Sequence, residues 1–116
     1  MRKYPYIAGQ LFFNNSFDAL SNLFQESGLD HEIRHSSHFE DGTYLRLSLN
    51  PNAELTFEKI DTNEFLIQGE ANNQEDLLKL AEITSSVFSL QKLRHRLELY
   101  NLDDKEFGYF NHYWTK

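Results

Sequence analysis

The chain begins with a period-two pattern of apolar and polar positions over residues 4–13, which predicts a β-strand. The apolar spacing then changes to three and four residues within NNSFDALSNLFQESG, and this spacing predicts a helix. Asn15 or Ser16 can cap its first turn with a side-chain oxygen, and Gly28 can adopt the left-handed conformation that ends a helix. The residues expected on its buried stripe are Phe17, Leu20, Leu23 and Phe24.

From His31 to about Glu70 the period returns to two, and turn-forming residues interrupt it. Asp41-Gly42 is typical of a hairpin turn in which both residues have positive φ, and NPN and DTN mark two further turns. The segment therefore predicts a meander of four antiparallel strands, each with one apolar face and one polar face.

A second helix is predicted in NNQEDLLKLAEITSSVFSLQKL, with Asn72 or Asn73 as its cap. RHRLELY and FGYFNHYW come next as two strands joined by the acidic loop LDDKE. The predicted order is thus β-α-β-β-β-β-α-β-β. We expect a single α+β domain over residues 1–116, with two layers, in which two helices cover one face of a curved antiparallel sheet.

The charge and the composition of the chain disfavour or exclude several classes of function. The chain of 116 residues carries a formal net charge of −7, and residues 1–91 hold six basic and fourteen acidic side chains, which is a net charge of −8. This balance disfavours nucleic acid as a partner and suits a basic protein. Cysteine is absent, which excludes disulfides, thiol nucleophiles and cysteine-ligated metals.

Targeting signals are not evident in the sequence. Arg2 and Lys3 resemble the charged start of a signal peptide, but Pro5, Gly9 and Gln10 interrupt the apolar run that such a peptide needs next. No run approaches the roughly 20 apolar residues that a membrane span needs. We therefore expect a cytoplasmic protein that does not bind membranes.

Three of the five histidines lie in HEIRHSSHFEDG. On a helix, His31, His35 and His38 would share a face suited to zinc. On a strand, which the context favours, His31 and His35 share one face and His38 lies on the other. We prefer the interpretation that these are polar residues of an edge strand, with a metal site at the three histidines as the alternative.

His95 alternates with Leu97 and Leu99 on the apolar face of RHRLELY. A single histidine on such a face is usually a core residue hydrogen-bonded to a neighbour. We therefore predict that His95 is a core residue, and a polar group of a ligand pocket between sheet and helices is the alternative.

The C-terminal strand concentrates aromatic residues on both of its faces, which a two-layer domain cannot bury completely. Alternation places Phe110, His112 and Trp114 on one face. Tyrosine and tryptophan are enriched at binding hot spots. The predicted contact with a protein partner combines these rings with the acidic loop: Asp103, Asp104, Glu106, Tyr109, Tyr113 and Trp114. Closure of the core by the same rings is the alternative interpretation.

Neither a phosphate-binding loop nor a catalytic motif is present, so the sequence gives no positive support for an enzyme or for a cofactor. We favour a small acidic binding protein that neutralises or regulates a basic protein, as an immunity protein or inhibitor does for a toxin or nuclease. Two alternatives stay open. One is a small-molecule-binding domain or enzyme with a pocket between sheet and helices, and the other is a homodimeric assembly module.

Overall fold

The computed structural model describes residues 3–35, 42–50 and 52–114, with the backbone alone described at position 50. Within these ranges it contains two helices and one seven-stranded sheet. The elements are β1 (Tyr6–Phe12), α1 (Phe17–Glu26), β2 (Asp30–His35), β3 (Thr43–Asn50), β4 (Ala53–Asp61), β5 (Glu64–Ala71), α2 (Gln74–Leu90), β6 (His95–Tyr100) and β7 (Glu106–His112). The predicted α+β class and element order are confirmed.

The strands are ordered β2-β3-β4-β5-β1-β6-β7, and all six pairings are antiparallel. The N-terminal strand β1 therefore lies between β5 and β6, far along the sheet from β2, which comes after it in the chain. Because neighbours alternate in direction, β1 and β2 run the same way, and α1 makes the long connection between them.

Each helix begins at a polar cap. The Ser16 hydroxyl accepts a hydrogen bond from the Ala19 amide at 3.2 Å, and the Asn73 side chain accepts one from the Asp76 amide at 2.8 Å. These bonds satisfy amide groups that have no partner inside the helix. Helix α1 ends before Gly28, whose φ of 71° is left-handed as predicted.

Both helices pack on the same face of the sheet, and the hydrophobic core lies between the two layers. Core side chains come from the alternate positions of β1, β3, β4, β5 and β6 and from the inner faces of the helices. Phe24 of α1 and Phe88 of α2 are completely buried, with ring centroids 5.9 Å apart. Neither of the two helices described lies on the other face of the sheet, which we call the open face.

Two predicted features are observed only in part. Asp41 of the expected Asp41-Gly42 turn lies outside the described residues, whereas Gly42 has a φ of 71°. The expected strand FGYFNHYW is shorter than predicted, since β7 ends at His112 and Tyr113 has a φ of 54°. That left-handed residue breaks the alternation, so Trp114 does not share the face of His112 as we expected.

Candidate functional site: the open face of the sheet

The open face is built from the polar positions of the seven strands. Register places Tyr6, Ala8, Gln10 and Phe12 of β1 at its centre. Residues from both sides flank them, among which are Arg46, Glu54, Thr56, Gln68, Glu70, Arg96, Glu98 and Tyr100. The period-two pattern predicted the polar character of this surface.

A shallow cavity of about 330 Å³ lies on the open face, where β4, β5 and β1 are neighbours. Ala8 at its floor leaves space between larger side chains. We call this cavity the acidic trough and define it by Tyr6, Ala8, Glu54, Gln68 and Glu70. A second cavity of about 220 Å³ adjoins it at the end of the strands and shares Glu54 and Glu70.

Two carboxylates in the acidic trough face each other across adjacent strands. Glu54 of β4 is the direct register partner of Glu70 of β5. Like charges in this position repel and destabilise the sheet. Arg46 compensates Glu54 through an ion pair of 2.6 Å, but Glu70 is exposed and has no cationic partner among the residues described. The arrangement leaves negative charge available to a ligand.

Tyr6 connects the trough to the hairpin between β6 and β7. Its ring stacks on Tyr100 with centroids 5.1 Å apart, and its hydroxyl donates to Oδ1 of Asp104 at 2.8 Å. Partial burial raises the pKa of Tyr100, as does the hydrogen bond of 3.1 Å that it donates to Glu98. Because Asp104 is hydrogen-bonded to Tyr6, it extends the acidic surface of the trough beyond the sheet.

The six residues predicted to contact a partner do not form one cluster. Asp103, Asp104 and Glu106 lie at the hairpin end of β7, whereas Tyr113 and Trp114 lie just past its other end. At 3.3 Å per residue, the seven residues of β7 separate these groups by roughly 20 Å. Tyr109 lies between them, opposite Glu98. The acidic residues and the terminal rings therefore belong to two different parts of the surface.

Trp114 forms a second feature of the open face, together with Phe12 and Arg94. Its ring stacks on Phe12 with centroids 5.3 Å apart, and the Arg94 guanidinium carbon is 4.6 Å from the centroid of each ring. We call these three residues the aromatic–arginine cluster. Arg96 adjoins the cluster at 5.2 Å from the Trp114 ring, but its own donors are directed to Gln10 and Glu98.

The histidine-rich segment does not bring its ligands together within the described chain. His31 and His35 lie on the same face of edge strand β2, as predicted, and His38 is outside the described residues. Both ring nitrogens of His31 are occupied, and Nδ1 of His35 is 3.1 Å from the Thr43 hydroxyl. No group of three potential metal ligands is found in residues 3–35, 42–50 and 52–114.

Instead, His31 belongs to a helix–strand corner that occurs twice. Its Nε2 is 2.7 Å from the Ser21 hydroxyl, and its Nδ1 is 2.8 Å from the Leu29 carbonyl. His95 makes the same two contacts 64 residues later. Its partners are the Ser85 hydroxyl at 2.7 Å and the Leu93 carbonyl at 2.9 Å.

Because the two corners have the same geometry, the burial of one of them indicates the role of both. A serine beside an oriented histidine is the geometry of an activated nucleophile. His95, however, is completely buried and Ser85 is 6% exposed, so no substrate reaches that pair. Burial and the neighbouring His112 ring lower the pKa of His95, which keeps it neutral. We therefore assign both corners a structural role, in agreement with the prediction for His95.

The sequence did not indicate that Tyr6, Phe12, Glu54 and Glu70 belong to a site. The alternation within each strand predicts that these residues lie on polar faces. It does not predict that they lie close to one another, because that depends on the position of β1 between β5 and β6.

Comparisons with known proteins add no functional information. No protein-family model matches the chain, and no curated protein shows detectable sequence similarity to it. Neither of the two helices described is long and apolar enough to cross a membrane.

Proposed function

We propose that this protein is a small binding protein whose open face, centred on the acidic trough, recognises a basic protein and thereby neutralises or regulates it. The observation that carries the proposal is the Glu54–Glu70 pair, two carboxylates held opposite each other on a sheet face that neither described helix covers. A lysine or arginine of a partner relieves the repulsion between the two carboxylates, so binding removes an unfavourable electrostatic free energy that is present in the unbound protein.

Further features of this surface suit the same partner. Tyr6 lies beside the carboxylates and offers a ring against which a cationic side chain can pack. Asp104 is hydrogen-bonded to Tyr6, and Asp103 and Glu106 are exposed in the same hairpin. The net charge of −7 attracts a basic protein at long range and accelerates the encounter. An inhibitor or immunity protein in the cytoplasm is the role that these properties fit best.

The alternative of a ligand pocket between sheet and helices receives less support. The acidic trough, the cavity that adjoins it and a third cavity of about 280 Å³ beside Arg46 are all lined by residues of the strands and of the segments next to them. No helix residue lines any of the three. No observation on the described residues favours a homodimer through an edge strand.

Site-specific photocrosslinking in the host cell tests the proposal. A benzophenone amino acid replaces Tyr6 in the trough in one variant and Lys79 on the exposed side of α2 in a second. We expect the variant at position 6 to crosslink to a basic protein and the variant at position 79 to give no such adduct. Adding Glu54→Gln and Glu70→Gln to the position-6 variant should reduce the yield of the adduct.

Three results would contradict the proposal. The first is an adduct formed from position 79 and not from position 6. The second is a crosslinked partner that is acidic. The third is an adduct yield that the two glutamine substitutions leave unchanged.

A further inference from the structure

The aromatic–arginine cluster is chemically unlike the rest of the open face. Residues 92–96, KLRHR, contain Lys92, Arg94 and Arg96 and no acid, in a chain with an overall excess of acidic residues. Register places Arg94 next to Phe12 at the far end of β1 from Tyr6, and the Phe12 amide donates to the Arg94 carbonyl at 2.9 Å. The open face thus has a cationic aromatic region roughly 20 Å from its acidic trough.

Arg94 and Arg96 differ in how their guanidinium groups are used. Arg96 donates to Gln10 Oε1 from Nε at 2.9 Å and from Nη2 at 2.7 Å, and its Nη1 is 2.9 Å from Glu98. Arg94 is exposed, and within the described part of the chain its guanidinium has neither a hydrogen-bond acceptor nor a carboxylate at ion-pair distance. Its N–H donors are therefore available to a ligand.

The two rings hold this guanidinium in place. The Arg94 guanidinium carbon lies 4.6 Å from the centroids of both Phe12 and Trp114, so two aromatic rings contact it and restrict its position. A guanidinium fixed in this way loses less conformational freedom when it binds, and its planar fork matches a carboxylate with two parallel hydrogen bonds. The ring edges beside it offer apolar surface to the residues next to that carboxylate.

From this geometry we propose that the aromatic–arginine cluster binds an aspartate or glutamate side chain of the protein partner and so fixes the orientation in which that partner lies on the open face. The inference rests on the proposed function and adds a second contact to it. Glu64, directly opposite Phe12, places negative charge beside the cluster. A single carboxylate in a neutral segment is tolerated there, whereas a polyanion such as nucleic acid is repelled.

The test uses the capped peptide acetyl-Leu-Glu-Leu-amide as the probe and its glutamine counterpart as the matched control. Trp114 is the only tryptophan of the chain, so its fluorescence reports directly on the cluster. We expect the glutamate peptide to change the emission saturably, with a dissociation constant on the order of 1 mM, and the glutamine peptide to bind about tenfold more weakly.

Substitutions identify the group responsible. Arg94→Gln should weaken binding of the glutamate peptide about tenfold, and Arg94→Lys should restore only part of it because an ammonium lacks the planar fork. Lys79→Gln removes one positive charge from the helical layer and should leave binding unchanged. Circular dichroism of each variant verifies that the fold is retained.

Several outcomes would overturn the inference. Equal binding of the glutamate and glutamine peptides would show that the carboxylate is not recognised. Inorganic phosphate that competes as well as the peptide would indicate a general anion site, and tighter binding of an oligothymidylate would indicate a single-stranded nucleic-acid surface. None of these results involves the acidic trough, so failure here is distinguishable from failure of the crosslinking test.

Discussion

The hydroxyl of Ser85 lies 2.7 Å from Nε2 of His95, and this contact is buried beneath α2. The Leu93 carbonyl can only accept, so Nδ1 of His95 carries the proton and Nε2 accepts from Ser85. One neutral tautomer is thereby fixed in the core, and the corner that joins α2 to β6 depends on it.

Stability should decrease at acidic pH because of His95. Its pKa is lowered in the folded protein by burial and by His112, so below the ordinary histidine pKa of about 6.5 the unfolded chain binds a proton that the folded protein does not. The free energy of unfolding therefore has its full value above about pH 6.5 and falls as the pH decreases towards the folded-state pKa. Urea denaturation of the wild type and of His95→Gln at several pH values tests this. The variant should be less stable at neutral pH and should lose less stability on acidification, and parallel pH profiles would contradict the assignment.

The two corners should differ in their response to loss of the serine hydroxyl. Ser85→Ala leaves a completely buried imidazole nitrogen without a partner, which should cost about 1–3 kcal/mol of unfolding free energy. Ser21→Ala should cost less than about 1 kcal/mol, since His31 is only half-buried and water can replace the hydroxyl. Ser86→Ala on the exposed side of α2 is the control and should be close to neutral. A larger loss for Ser21→Ala than for Ser85→Ala in chemical denaturation would be inconsistent with this structure.

Two sheet glycines should not accept a side chain. A Cβ at Gly9 would overlap the Arg96 carbonyl oxygen, and one at Gly69 would overlap Leu55 and the Glu54 carbonyl oxygen. Gly9→Ala and Gly69→Ala should each cost about 1–3 kcal/mol or more, because backbone on a neighbouring strand must move. At Gly108 the nearest atom to such a Cβ is a Leu78 methyl at 3.3 Å, so Gly108→Ala should cost less. Thermal denaturation ranks the three variants, and equal melting temperatures would argue against the register of β1 with β6 and of β4 with β5.

Glu70→Gln should stabilise the fold and weaken partner binding at the same time. Removing the charge opposite Glu54 relieves a cross-strand repulsion, worth from a few tenths to about 1 kcal/mol at low salt. The gain should shrink as salt screens the repulsion. Denaturation curves at low and high salt measure it, with Glu82→Gln on the exposed side of α2 as the matched control. A Glu70→Gln variant that is less stable than wild type at low salt would show that the pair is not repulsive.

The sequence predicted the fold more completely than the surface. Period-two and helical spacing identified every element, and the caps at Ser16 and Asn73 and the left-handed Gly28 were among the expected residues. His95 could be assigned to the core because it alternates with leucines in a short strand. These predictions succeed because caps, turns and strand alternation depend on residues that are close together in the sequence.

The open face depends on contacts between residues that are far apart in the sequence, and the order of the elements along the chain does not predict these contacts. The placement of β1 between β5 and β6 brings Tyr6 to Glu70 on one side and to Tyr100 on the other. Trp114 reaches Phe12 because Tyr113 is left-handed, although Tyr113 is neither glycine nor asparagine. The repeated serine–histidine corner was overlooked because its residues, 64 positions apart, are spaced too widely to resemble a motif.

Recognition of a basic protein by the acidic trough can be tested through the rate of association with the crosslinked partner. This rate is measured as a function of salt concentration for the wild type and for the Glu54→Gln/Glu70→Gln double variant. We expect the wild-type rate constant to fall steeply as salt increases, and the double variant to associate more slowly at low salt with a shallower dependence. A wild-type rate that is insensitive to salt, or a double variant with the same rate and slope as the wild type, would contradict recognition by the trough.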